Sequence, residues 1–270
     1  MSYKVLFLDI DGTILKPDHT YTESTKTAIE LAKQNGLEVF IATGRPYIEI
    51  QDLAEELAID SFIAYNGGYA IYQEQEVVNE PMDRAIVKEF IDIAKEHNHE
   101  IVLYTKEKNY FTAMDHPFVK KFNEIFQLRQ NALFTDEVAD QIIGATVLNI
   151  KPEDASLYEV EENIRMSQVN VEGATKAFDI IRKNVNKGEA VSKILHRIGI
   201  PKEQAIAFGD GMNDCEMLQA VGEGFAMDNA HPELFTYAKH RTTSVSDSGI
   251  YNGLKKLGVI NKQEKAKPNS

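Results

Sequence analysis

The sequence predicts a doubly wound α/β protein: a parallel sheet covered by helices on both faces, with an α+β unit inserted into it. Three observations carry this expectation. Short apolar runs at 5–8, 39–42, 62–65, 205–208 and 225–227 read as strands buried on both faces, as parallel strands between helices are. Helical patterns lie between these runs with short links. From about residue 82 to 184 the pattern changes to mixed strands and helices, and the first pattern resumes after Lys187.

In chain order, the first run (5–8) stops at two acids, Asp9 and Asp11. Residues 24–35 carry Ala28, Leu31 and Ala32 at helical spacing, with Gly36 as the terminating residue. The strands at 39–42 and 62–65 follow. Within the insert, Ile86, Val87, Phe90, Ile93 and Ala94 mark a helix, and 101–104, 110–112 and 145–150 read as strands. A second helix is expected over 157–164, then strands over 169–172 and 177–181. Beyond Lys187 come a helix over 189–198, the fourth strand, a helix over 214–221 and the fifth strand. The last ten residues hold three lysines, a proline and no apolar pattern, as a mobile tail would. The expected division is a core from 1–81 and 185–260, an insert over 82–184 and a tail over 261–270.

Composition narrows the partners. With 29 basic and 42 acidic residues the formal charge is −13, which disfavours nucleic acid and anionic membrane surfaces. An anionic substrate therefore needs a locally positive site. The single cysteine, Cys215, excludes an internal disulfide framework, fits a reducing compartment and reads as a small buried hydrophobe. The run 5–8 is too short for a secretory signal, and no apolar stretch approaches the ~20 residues of a spanning helix. A cytoplasmic protein, monomeric or weakly homo-oligomeric, is expected. The seven histidines show no zinc spacing, and His97 and His99 are expected at the surface. Gly209-Asp210-Gly211 starts like a dinucleotide fingerprint but lacks its third glycine.

Each polar cluster falls just after a proposed core strand. Asp9 and Asp11 follow the first, Thr43-Gly44-Arg45 the second, Asn66-Gly67-Gly68 the third, and Asp210, Asn213 and Asp214 the fourth. Ligands of open α/β sheets bind outside the carboxyl ends of strands, so these segments should meet in one crevice. Singly, each is most simply a turn or a cap. Together they bring four carboxylates into one place, and like charges a few Å apart strongly disfavour joint ionisation. A hard divalent cation resolves this, and oxygen-only ligands indicate Mg2+. Lys187 completes the balance, and glycines at 12, 44, 67, 68, 188 and 211 let backbone N–H groups approach an anion. A cation, a lysine, a threonine hydroxyl and free amides suit a phosphoryl group, with Asp9 as nucleophile.

The segments "DIDGT", "ATGR", "NKGEAV" and "FGDGMNDCEML", in this order, resemble the four motifs of the haloacid dehalogenase superfamily of phosphatases. More narrowly the chain is similar to the Cof-type subgroup, whose α+β cap sits between the second and third motifs on a Rossmann-like core. The resemblance implies a phosphatase acting on a small phosphorylated metabolite. By position, Asp9 matches the residue that becomes an aspartyl phosphate, and Asp11 the general acid and base. Thr43 matches the phosphoryl-binding hydroxyl, and Lys187 the bridge between that group and Asp9. The Mg2+ ligands would be Asp210, Asp214 directly or through water, an Asp9 oxygen and the Asp11 backbone carbonyl. Asn213 would orient phosphate or neighbouring ligands. Gly44, Arg45, Asn66 and Gly67 fall where the subgroup contacts substrate, and Gly12 offers a backbone amide. A phosphomutase would use the same aspartyl phosphate, but nothing in the chain shows substrate reorientation with water excluded. A non-catalytic phosphometabolite sensor would be expected to lose the nucleophile, the acid or a metal acid, and all are present.

Overall fold

The computed structural model describes residues 2–169 and 171–260. The chain begins with β1 (Val5–Leu8), α1 (Glu23–Gln34), β2 (Glu38–Ala42), α2 (Gln51–Glu56), β3 (Ser61–Ala64), β4 (Tyr69–Tyr72) and β5 (Gln75–Asn79). A second group follows: α3 (Arg84–His97), β6 (Glu100–Tyr104), β7 (Asn109–Phe111), α4 (Pro117–Phe126), β8 (Asn131–Leu133), β9 (Gly144–Leu148), β10 (Ile164–Gln168) and β11 (Ala177–Arg182). The chain then returns with α5 (Lys187–Ile198), β12 (Ala205–Gly209), α6 (Cys215–Ala220), β13 (Glu223–Ala226), β14 (His240–Arg241) and α7 (Gly249–Lys256).

The first and last groups share one eight-stranded sheet, ordered β14-β13-β12-β1-β2-β3-β4-β5. It is parallel from β14 to β3, and the β4–β5 hairpin adds two antiparallel strands. Alternation along the buried strands feeds both faces. Leu6, Leu8, Ile41 and Phe208 pack with Ile29 of α1 and Leu254 of α7. Val5, Phe7, Phe40 and Ala207 pack with Val191 of α5 and Leu218 of α6 on the other face. This is the doubly wound α/β layout that the apolar runs predict. Strand order runs outward in opposite directions from β1 and from β12, so the crevice of such a sheet lies between these two.

The middle group forms its own six-stranded sheet, β10-β11-β9-β6-β7-β8, antiparallel except for β7 with β8. Polar ties join it to the first sheet. The Arg182 guanidinium donates to the carbonyl of Glu80 just after β5 (2.6 Å), and the Tyr65 hydroxyl to that of Thr105 (2.8 Å). Glu49, between β2 and α2, accepts from the backbone N–H of Arg129 at 2.8 Å, and Asp52 from its guanidinium at 2.9 Å.

Several expectations need correction. No α-helix covers 157–164: Pro152–Tyr158 is a 3-10 segment and Ile164 already begins β10. Tyr158 and Ile164 are buried, but the acids between them face solvent and no continuous apolar stripe exists. The strand expected at 169–172 is displaced to β10, paired with β11, and Val171–Ala174 close a turn instead. His99 is buried rather than exposed, bonded through Nδ1 to the Tyr158 hydroxyl at 3.0 Å, because the chain turns under α3 at Asn98. Burial lowers its pKa. Tyr65 leaves β3 in the left-handed region (φ 52°). The β4–β5 hairpin, α2, α4, β8, β14 and α7 went unpredicted. The tail at 261–270 lies outside the described residues. Cys215 is buried, as expected. Among the described residues, no helix is long and apolar enough to cross a membrane.

Candidate active site

The crevice is assembled from strand ends. β1 delivers Asp9, whose backbone N–H still pairs with the Phe208 carbonyl of β12. The chain then turns at Gly12, which adopts φ +86°, and a Cβ there would lie 2.0 Å from Asp210 Oδ2. Only glycine lets the first loop and the β12 loop come so close. Asp210 is held on the other side by Thr13 Oγ1 (3.3 Å) and by Asn229 Nδ2 (3.3 Å), which also donates to the Gly12 carbonyl (2.9 Å).

Lys187 is the first residue of α5, a helix capped by the Asn186 side chain on the Glu189 N–H at 2.9 Å. Its neighbour Gly188 abuts the backbone of Glu216, so α5 reaches α6 closely enough to bury the lysine completely. Its Nζ donates to Asp9 Oδ1 and Asp214 Oδ1, both at 2.6 Å. The other Asp214 oxygen accepts the backbone N–H groups of Asp210 (3.0 Å) and Gly211 (3.1 Å). Asp214 therefore clamps the β12 loop onto the lysine.

Charge does not balance in this buried cluster. Asp9, Asp210 and Asp214 can each place an oxygen within 4.8 Å of the others, against one lysine. Burial, then the Asp214 charge, pushes the Asp9 carboxyl well up, with Lys187 opposing. Asp210 rises to about 7, from burial first and Asp214 second. Burial alone would lower Lys187, but the Asp214 and Asp9 carboxylates outweigh it and hold the ammonium charged. Three acidic oxygens around one point, with no nitrogen or sulfur donor among them, fit a hard divalent cation.

Above this floor lies a cavity of about 390 Å³ between the two sheets. Asp9, Asp11, Thr43, Gly44, Arg45, Asn66, Asp210 and Asn213 line it. Thr43 is buried and accepts from the Arg45 N–H at 3.1 Å, leaving its proton without an acceptor among the described residues. Arg45 forms a two-point ion pair with Asp11, Nε to Oδ2 at 2.8 Å. The Asn213 amide donates to Asn66 Oδ1 at 2.8 Å, tying the third strand's loop to the fourth's. Lys187 and Asp214 lie beneath the cavity rather than on its wall. Gly12 and Gly67 also lie off it: Gly67 (φ +103°) packs where a Cβ would sit 2.2 Å from the Asn186 carbonyl.

Thr13, Asn229, Tyr104, Thr146 and Asp179 were missed by the sequence reading. Asn229 had a signal, since it follows the fifth apolar run just as the other polar clusters follow theirs. The last three come from the second sheet, and nothing in their spacing points at the crevice.

A doubly wound sheet with an acid cluster, a buried lysine and a second sheet over its carboxyl end defines a two-domain α/β protein with one ligand crevice. A family model described as haloacid dehalogenase-like hydrolase matches residues 6–254, and the chain belongs to that family. It is 31% identical over 262 residues to "Putative phosphatase YkrA" of Bacillus subtilis (strain 168), covering 96% of this chain and 100% of the relative. Among solved structures it resembles a hypothetical protein of Geobacillus kaustophilus HTA426, with TM-score 0.88 and 30% identity over 96% of this chain and 100% of that one. It also resembles the subclass IIB sugar phosphatase BT4131, with TM-score 0.80 and 26% identity over 95% and 100% of the two chains.

Proposed function

We propose that this chain is a magnesium-dependent phosphatase that hydrolyses a small phosphorylated metabolite, a sugar phosphate or similar monoester, through an aspartyl phosphate on Asp9. The observation that carries this is the buried Asp9–Lys187–Asp214 bridge beside Asp210 at the floor of the cavity. Similarity to a sugar phosphatase supports the substrate class. In this reading residues 1–81 and 185–260 are the catalytic core and 82–184 the cap that chooses the leaving group. The setting is cytoplasmic.

Asp9 attacks phosphorus as the bond to the ester oxygen breaks, and Asp11 gives that oxygen a proton. Water then attacks the same phosphorus, the Asp9–phosphorus bond breaks, and Asp11 takes the water's proton. The Thr43 hydroxyl and the Lys187 ammonium stabilise the phosphoryl oxygens. Mg2+, held by Asp9, Asp210 and the Asp11 carbonyl, would offset negative charge at the phosphoryl group. Asp214, its oxygens already taken by Lys187 and two amides, suits contact through water. For Asp11 to meet the leaving oxygen, Arg45 must release it, and an incoming phosphate gives the guanidinium another partner. A panel of phosphorylated metabolites, scored by phosphate released with Mg2+, tests the assignment; no release from any ester or from an aryl phosphate would overturn it.

Asp11→Asn is expected to lose ~10²–10⁴-fold on alkyl phosphates, and less in the first step on an activated aryl phosphate, which needs little protonation. Pre-steady-state bursts with both substrates check this, and equal losses in that step would contradict the acid role.

Metal binding should be pH-dependent. Asp210 sits near 7 in the metal-free fold, against an ordinary 3.8. Between these values the folded state holds a proton that the unfolded chain has lost, so metal-free stability falls as pH rises through that window. A cation must displace this proton. Mg2+ affinity is therefore expected to weaken as pH falls below about 7, with proton release seen by calorimetry in two buffers. Binding without proton release at pH 6 would contradict it. Calcium, with its looser shell, should bind but support turnover poorly.

A further inference from the structure

One face of the second sheet changes character along its length. Under α4 it is apolar, with Val102, Leu148 and Ala177 in one cluster. Two residues along each of those strands, on the same face, stand Tyr104, Thr146 and Asp179, and all three line the cavity. Thr146 and Asp179 are directly opposite each other in the β9–β11 pairing.

Thr146 Oγ1 donates to Asp179 Oδ1 at 2.6 Å. A hydroxyl has one proton, so the 2.8 Å bond between Tyr104 and Thr146 is donated by Tyr104. The bonds run one way, from Tyr104 to Thr146 to Asp179, and end on a carboxylate. Burial pushes that carboxyl up, with only the Thr146 bond opposing, and no lysine or arginine contributes. Among the described residues, Oδ2 of Asp179 receives no donor. Asp179 lines the cavity and this oxygen opens onto it, so an occupant that covers it either supplies a donor or leaves a desolvated acceptor unpaired, which is costly.

We propose that Asp179, oriented by Thr146 and Tyr104, selects the leaving group by accepting a hydrogen bond from a hydroxyl or ammonium on the alcohol part of the phosphate ester. The body of that group packs against Phe122, Phe126 and Leu128, which line the same cavity. This rests on the phosphatase reading above and adds the chemistry of the substrate's far end. Discrimination follows from asymmetry. An ester with a donor satisfies Asp179, whereas one ending in methyl desolvates the carboxylate and leaves it unpaired. Tyr104 and Thr146 are positioning residues, since they act through Asp179.

The test uses the full chain with Mg2+ and three series of alkyl phosphates, three to six carbons long, ending in methyl, hydroxyl or ammonium. Wild type is expected to favour a donor-bearing ester over its methyl counterpart at the best length by about tenfold or more in kcat/KM. Asp179→Leu should bring that ratio to one or invert it. Asp179→Asn, which keeps shape and an acceptor, should retain a hydroxyl preference and lose an ammonium preference, which tells the two donors apart. Tyr104→Phe should shrink the ratio, mainly through KM. Turnover of p-nitrophenyl phosphate, measured alongside, reports an intact phosphoryl-transfer site in each variant. An unchanged ratio in Asp179→Leu, with the aryl phosphate still turned over, would overturn the proposal. If wild type hydrolyses neither the aryl phosphate nor any alkyl ester, the phosphatase reading itself fails and the proposal falls with it.

Discussion

Replacing Asp9 with asparagine is expected to leave a folded protein that has lost turnover by on the order of 10⁴–10⁶-fold. The amide is nearly isosteric, and its oxygen can still accept from Lys187, whose other partner, Asp214, remains at 2.6 Å. What disappears is the attacking carboxylate oxygen, so the displacement no longer divides into two steps. Intact mass after an acid quench should show a phosphorylated wild type and an unmodified variant. The melting temperature should stay close to that of wild type, because one buried negative charge has been removed from a cluster that holds an excess of them. Activity within a few-fold of wild type, with contaminating phosphatase excluded, would sink the nucleophile assignment.

Replacing Lys187 with methionine should damage both activity and stability. The ammonium is completely buried and bridges two carboxylates, and its loss leaves Asp9, Asp214 and Asp210 facing one another without a protein cation. Breaking a buried pair by removing one partner costs ~3–5 kcal/mol, or roughly 6–20 °C in melting temperature for a chain of this size. The sign with pH follows from the acids. Burial and mutual repulsion raise the Asp9 and Asp210 carboxyls, so they resist ionisation in the fold. Without the lysine they resist it further, and the variant should recover stability as pH falls towards 5 and be weakest near 8. Loss of a phosphoryl-stabilising donor adds about 10²–10³-fold or more in kcat. Thermal melts across pH in chelator measure the first effect, and a variant melting within a couple of degrees of wild type at pH 8 would contradict it.

These two residues also show where sequence reading reaches and where it stops. Asp9 stood out because four apolar residues run directly into it, and a strand buried on both faces has no ordinary reason to end in acids. Its convergence with Asp210 needed only the rule that parallel strands present their carboxyl ends to one crevice. Lys187 was tied to the site by the charge balance that the clustered acids need, and its bridging role by resemblance, but its burial was not legible. That depends on Gly188 letting α5 touch the backbone of α6, a contact between segments distant in the chain. Nor did the pattern reveal that Asp214 spends its oxygens on Lys187 and two amides, or that Arg45 holds Asp11.

By itself, then, the sequence determined the central parallel strands of the core and the acids at their ends. Strand periodicity, helix caps and the acids at strand ends are local signals, and parallel topology turns them into one site because it orders the strand ends alike. The second sheet was decided by tertiary structure. Its helix over 157–164 became a 3-10 segment and a strand because β11 offered Ile164 a partner, a long-range pairing that local periodicity does not carry. Asp179 reads as an ordinary polar position in a half-buried strand. It is set above the strand-end aspartates only because β9 and β11 pair in a register that places Thr146 opposite it, and because the sheet as a whole is packed over the crevice.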